Sequence, residues 1–200
     1  EMFLRTYNAV SGVSGDLILS TGYATSQDGQ SGSIYLGTGK SSSGVGGSID
    51  ITVGDSHDGI GSDITITAGD TLNTVQDTST ATGGHIKITT GSSSESSSGN
   101  LIMQTANSGT NGISGQIVLS TGDATSGDSG AIYIGSGDSS GGTGGDVHIG
   151  VGESTYAGTT GGSVWLNSGH GTVNSGKMIL STYDAPSGVS GDFKILTGLS

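Results

Sequence analysis

One short phrase, Gly-x-apolar-x-apolar-x-Thr/Ser/Val-Gly, is written about thirteen times along this chain, at intervals of about 14 to 17 residues with one of about 22. It reads Gly15-Asp16-Leu17-Ile18-Leu19-Ser20-Thr21-Gly22, then Gly32-Ser33-Ile34-Tyr35-Leu36-Gly37-Thr38-Gly39, and later Gly115-Gln116-Ile117-Val118-Leu119-Ser120-Thr121-Gly122 and Gly191-Asp192-Phe193-Lys194-Ile195-Leu196-Thr197-Gly198. Two apolar residues per copy cannot bury a face alone. A fixed period of this kind predicts a repeat array in which neighbouring copies supply the core.

The first apolar positions are Met2, Leu17, Ile34, Ile49, Ile64, Ile86, Leu101, Ile117, Ile132, Val147, Val164, Met178 and Phe193, and each has an apolar partner two residues on, such as Leu19, Leu36, Ile51 and Ile66. The third same-face position is small, as at Thr21, Thr38, Val53, Ala68, Thr90, Thr121, Ser136 and Val151. Period-two spacing bounded by glycine predicts a β-strand, and no helical period occurs. The expected fold class is all-β. Two chain paths fit these strands. In a repetitive β-solenoid each coil of about 15 residues is one repeat, giving about 13 stacked strand copies; in the alternative, the same strands form an antiparallel β meander. Connectors of near-constant length favour the solenoid, because hairpin loops usually hold two to five residues. The solenoid requires a continuous interior seam lined by Leu19, Leu36, Ile51 and Ile66.

A longer period overlies the short one. Met2 to Asp16 recurs from Met178 to Asp192, with a third version beginning at Leu101. The chain thus reads as a single β-repeat array over 1–200, with superunits starting near 2, 101 and 178, and as a segment of a longer protein. The connection from Asp70 to Thr82 is the candidate protruding loop. The outward column, which includes Ile18, Tyr35, Ile102, Val118, Tyr133, Trp165 and Ile179, is half apolar or aromatic. It reads either as a partly covered face in a wider fold or as a surface for lateral assembly.

Composition narrows the function classes. Glycine contributes 41 residues, and Gly- and Ser-rich chains of low hydrophobicity are usually disordered; regular placement of Ile and Leu argues otherwise here. Seventeen acidic against five basic residues give a net charge of −12. Such a chain cannot neutralise phosphates, so nucleic acid and anionic membranes are not expected partners. No apolar run approaches the length of a membrane span. Cysteine is absent, which removes disulfides and thiolate metal sites.

Motif-like stretches give no catalytic, cofactor-binding or metal site. Gly39-Lys40-Ser41 lacks the glycine that a phosphate loop needs, since Ile34 holds that place. Gly141-Gly142-Thr143-Gly144-Gly145-Asp146 is similar to a calcium-binding nonapeptide, but the period is wrong and His148 stands where an apolar residue is required. The loop carboxylates Asp16, Asp28, Asp123, Asp128, Asp146 and Asp192 read as rim solvation. His57, His85, His148 and His170 share no ligand spacing. A single arginine, Arg5, speaks against polysaccharide cleavage. Thr52, Thr67 and Thr89 are too few in a mixed outward column for an ice-binding ladder.

The phrases Leu19-Ser20-Thr21-Gly22-Tyr23-Ala24-Thr25-Ser26, Gly46-Gly47-Ser48-Ile49-Asp50-Ile51-Thr52-Val53-Gly54 and Ser114-Gly115-Gln116-Ile117-Val118-Leu119-Ser120-Thr121-Gly122 resemble the Gly/Ser/Thr-rich tandem-repeat surface proteins of diatoms and related algae. The resemblance implies a secreted or cell-surface location and carries no activity to any residue. The expected function is a non-enzymatic structural repeat protein, forming an extracellular filament or fibril, wall or adhesive layer by self-association of stacked β-coils. The alternative is a binding module for ice, glycan or calcium on the same scaffold.

Overall fold

The computed structural model describes residues 2–26, 29–57, 59–72 and 81–198. Among the described residues there is no α-helix and no β-strand. Extended phrases alternate with bends and turns, and no backbone ladder joins one phrase to another. Both expected architectures are therefore corrected: the chain is neither a β-solenoid of about 15-residue coils nor an antiparallel meander. The fibril or filament built by stacking such coils loses its basis with them. The loop expected between Asp70 and Thr82 falls largely on residues 73–80, outside the described residues.

The interior seam is absent as well. Leu19 and Leu36 are 73% exposed, and no described residue is buried. The chain exposes 20,702 Å². Two separate compact units of half its mass would expose about 5,000 Å² each, so roughly twice the surface of a compact protein remains in contact with solvent. Energetics explain why alternation alone does not make a core. Fixing the five or so residues of a phrase costs about 1–2 kcal/mol each in backbone entropy. Burying its two large apolar side chains returns about 1.5–3 kcal/mol each. The third position, being Thr, Ser, Ala or Val, adds little, and the glycine-rich connectors raise the entropic cost further.

The alternation is nevertheless visible as a graded exposure. Ile34 and Ile132, at the first apolar position, are 53% and 47% exposed, whereas the adjoining Tyr35 and Tyr133 are 91% and 93%. In these phrases the first apolar position is partly shielded and the adjoining face is open; the phrase at Met2 shows the reverse, with Met2 93% and Phe3 77% exposed.

What the sequence does fold is the connector. In one phrase after another, the chain turns back so that the opening glycine of the next phrase lies against the third-position residue of the last. A Cβ on Gly47 would sit 3.5 Å from Thr38, on Gly99 3.6 Å from Thr90, on Gly115 3.1 Å from Thr105, and on Gly145 3.3 Å from Ser136. Loops of this size whose ends meet are Ω-like. The third position also supplies Thr6, Ala68 and Thr90, which with Ala24 and Gly171 are the least exposed of the described residues. Before Ile64 the pattern breaks: Ser62 stands where other phrases open on glycine.

The chain divides into two units, Glu1–Ile102 and Met103–Ser200. The division falls beside Leu101, where one version of the longer sequence period begins. The first unit contains the loops closed at Thr38/Gly47, Ala68/Gly84 and Thr90/Gly99; the second contains those at Thr105/Gly115, Ser136/Gly145, Val151/Gly162 and Ser168/Gly176.

Candidate functional site

The recurrent built feature of this chain is the neck of its loops, which is held in two ways. In the first, the third-position hydroxyl donates to the carbonyl oxygen of the next opening glycine: Thr38 Oγ1 to Gly47 at 2.9 Å, Ser136 Oγ to Gly145 at 2.6 Å, and Thr105 Oγ1 to Gly115 at 3.3 Å. In the second, the opening glycine N–H donates to the carbonyl of the glycine that closes the previous phrase. Those bonds are Gly84 to Gly69 at 2.9 Å, Gly99 to Gly91 at 2.9 Å, Gly162 to Gly152 at 3.1 Å and Gly176 to Gly169 at 2.8 Å. Ala68 and Val151, which have no hydroxyl, fall in the second group, together with the necks at Thr90 and Ser168. The third-position side chain meets the opening glycine in either arrangement, and at Thr38, Thr105 and Ser136 its hydroxyl also latches the loop.

A second hydroxyl shapes the loop interior. Three residues beyond the third position, Ser41 accepts from the N–H of Gly44 at 3.0 Å and Ser139 from that of Gly142 at 3.0 Å. Ser93 accepts from Ser96 at 3.0 Å. These are side-chain turns in which a hydroxyl replaces a backbone carbonyl. Further turns use backbone alone. Thr159 N–H donates to Tyr156 at 3.2 Å, with Gly158 at φ +85°, and Gly188 N–H donates to Ala185 at 3.3 Å, with Pro186 at the second position. Positive φ at the third residue and Pro at the second are what such turns select.

The motif-like stretches dissolve into this loop chemistry. Gly39-Lys40-Ser41 is the first half of the Thr38–Gly47 loop, and its serine holds the turn to Gly44. Gly141 to Gly145 is the second half of the Ser136–Gly145 loop, with Asp146 just after it; Gly142 binds Ser139 and Gly145 receives the Ser136 hydroxyl. Asp16, Asp123, Asp128, Asp146 and Asp192 are exposed, while Asp28 lies outside the described residues. Asp192 pairs with Lys194 at 3.0 Å across one intervening residue. Both partners are exposed, so the pair contributes little. His57, His85, His148 and His170 are exposed and dispersed, and among the described residues no three His, Asp or Glu side chains come together. Thr52, Thr67 and Thr89 are exposed on separate phrases with no ladder to align them. No helix among the described residues is long and apolar enough to cross a membrane.

Two depressions among the described residues bear on a site. One, of about 210 Å³, is a groove lined by Leu166, Asn167, Ser168, Lys177, Met178 and Leu180. The other, also about 210 Å³, is lined by the consecutive residues Arg5, Thr6, Tyr7 and Asn8 and is a crevice along one stretch of backbone. Neither gathers groups for acid–base or nucleophilic chemistry. Comparison with protein-family models, with curated proteins and with solved structures finds no match.

The loop necks escape a reading based on hydrophobic period, which treats the third position as a minor core residue. The signal was in the sequence all the same. A hydroxyl residue, a glycine, then a serine three residues after the hydroxyl recurs at Thr38-Gly39…Ser41, Thr90-Gly91…Ser93 and Ser136-Gly137…Ser139.

Proposed function

We propose that this chain is a non-enzymatic structural repeat protein of an extracellular or cell-surface layer, such as a wall or an adhesive coat, and that its working partners are other copies of itself. The observation that carries the reading is the repetition of one unit, an amphipathic phrase followed by a latched loop, with the phrases left uncovered. A face that is apolar in unit after unit, yet finds no cover within its own chain, gains cohesion by meeting other chains. Association of this kind needs no preformed strand or coil.

Charge sets the condition for it. At −12, copies repel one another at low ionic strength, and the layer consolidates where salt or divalent cations screen them. The acidic, hydroxyl-rich loops keep each copy hydrated until then.

The test is location. Antibodies raised against the Gly32–Gly54 stretch should label the outer surface of the producing cells, and the protein should remain with the insoluble surface layer on fractionation. Recovery in the cytosolic fraction, with no surface label, would sink the proposal.

A further inference from the structure

This chain has no cysteine and only four lysines, but it has six tyrosines against two Phe and one Trp. Aromatic side chains ordinarily anchor cores. Here no described residue is buried, and Tyr7, Tyr23, Tyr35, Tyr133, Tyr156 and Tyr183 are 80–96% exposed. Packing within the chain therefore does not account for them.

Four of the six fall into two equivalent pairs in the repeat: Tyr7 and Tyr183, each just after a phrase in a connector, and Tyr35 and Tyr133, each within a phrase, as Ile34-Tyr35-Leu36-Gly37 and Ile132-Tyr133-Ile134-Gly135. Each ring of the second pair projects from the open face of an extended phrase. Its same-parity neighbours are small, Ser33 and Gly37 in one case and Ala131 and Gly135 in the other. A methyl group built on Gly37 or Gly135 would meet nothing within 4 Å. The ring edges, where the carbons ortho to the phenol oxygen lie, are thus open to a second ring. The remaining tyrosines are differently placed. Tyr7 lines the crevice with Arg5, Thr6 and Asn8; Tyr23 shares its parity with Thr21 and Thr25; Tyr156 begins a hydrogen-bonded turn; and Tyr183, although Ser181 and Ala185 at its parity are small, lies beside the carboxylate residue Asp184 in a connector.

We infer that Tyr35 and Tyr133 are oxidative cross-linking sites through which copies of this chain are joined covalently as dityrosine. The inference rests on the structural-layer reading above. The co-reactant is hydrogen peroxide, used by a haem peroxidase. One electron and one proton are removed from each of two phenols on different copies, and the two phenoxyl radicals couple at their ortho carbons to form one C–C bond. The two ortho hydrogens then transfer to the oxygens, which restores both phenols. Two hydrogen atoms leave per link, and one hydrogen peroxide is reduced to two waters. With two such sites per chain, each copy can be joined to two others. In a chain without thiols, this is the covalent cross-link that its composition and exposure favour.

The test uses the purified full-length chain with a haem peroxidase and hydrogen peroxide, in salt sufficient to screen the acidic charge. Dityrosine fluorescence, denaturing gels and mass-spectrometric mapping give the readout. The native chain should form covalent multimers linked at Tyr35 and Tyr133. A Tyr35→Phe/Tyr133→Phe variant should lose most of the dityrosine signal, and a Tyr7→Phe/Tyr183→Phe control should keep most of it. Equal loss in both variants, or no multimers from the native chain, overturns the assignment. Acid hydrolysates of the native layer provide the second arm. If the protein is in the layer but dityrosine is absent, the cross-link is overturned and the layer reading stands. If the protein is not in the layer, that reading falls and takes the cross-link with it.

Discussion

The hydroxyl of Thr38 donates to the carbonyl oxygen of Gly47 at 2.9 Å, across nine residues of chain, and thereby closes a loop whose interior is turned by Ser41. The same closure recurs at Ser136 and Gly145, with Ser139 turning the loop. Local order in this protein resides in such latches, and each can be tested singly.

Thr38→Val preserves the branched shape against Gly47 but removes the donor. A net hydrogen bond contributes about 0.5–1.5 kcal/mol, and exposure places this one at the lower end. The closed form should therefore fall about two- to fivefold in population. Cross-loop nuclear Overhauser contacts between residues 38 and 47 would report it. Val151 serves as the comparison, because its loop is held by the Gly162 N–H to Gly152 carbonyl bond, and Val151→Ala should leave that bond in place. Unchanged contacts in the Thr38 variant would remove the latch from the account.

Gly122→Ala and Gly115→Ala should differ in sign. Alanine restricts the open chain and stabilises by about 0.4–1 kcal/mol where the backbone accepts it. Gly122 has nothing within 4 Å of a new Cβ, so that gain should be retained. At Gly115 the Cβ meets Thr105 at 3.1 Å, and accommodating it displaces the neck. Chemical shifts of the Thr105–Gly115 loop would separate the two outcomes.

Gly158→Ala acts through backbone conformation instead. Gly158 has φ +85°, and a side chain there costs about 1–2 kcal/mol. The Thr159 N–H to Tyr156 bond should be lost in most molecules, which the temperature coefficient of the Thr159 amide shift would reveal. A coefficient that stays small would mean that the turn tolerates the left-handed alanine.

Amide exchange should be fast across the phrases of dilute protein, since their N–H groups have no ladder partners. Protection should rise with protein concentration if copies cover one another's apolar faces. Hydrogen-exchange mass spectrometry over Gly15–Gly22 and Gly115–Gly122 gives the measurement. Strong protection at high dilution would contradict an uncovered chain.

Ionic strength should promote association. The screening length falls from about 8 Å at 0.15 M salt to about 3 Å at 1 M, which weakens repulsion between chains of charge −12. Light scattering should increase with sodium chloride, and with calcium at matched ionic strength to a similar or modestly greater degree. A sharp, saturable calcium transition at low concentration would instead indicate a specific site and favour a binding module.

The repeat phrase, its two unlike faces and the small third position could all be read from residue order. The reason is local: side chains at alternate positions of an extended segment point to opposite sides whatever surrounds it. Thus Ile34 and Tyr35 differ in exposure as their parity requires. Whether one phrase would pair with the next could not be read in this way. Pairing depends on a balance between ordering entropy and the burial of two apolar side chains, and a regular pattern states only that the faces exist. The three-dimensional arrangement resolved that balance against a ladder. It placed the order in short loops such as Thr38–Gly47, where a single hydroxyl and a missing Cβ bring the chain ends together over a span too short to cost much entropy.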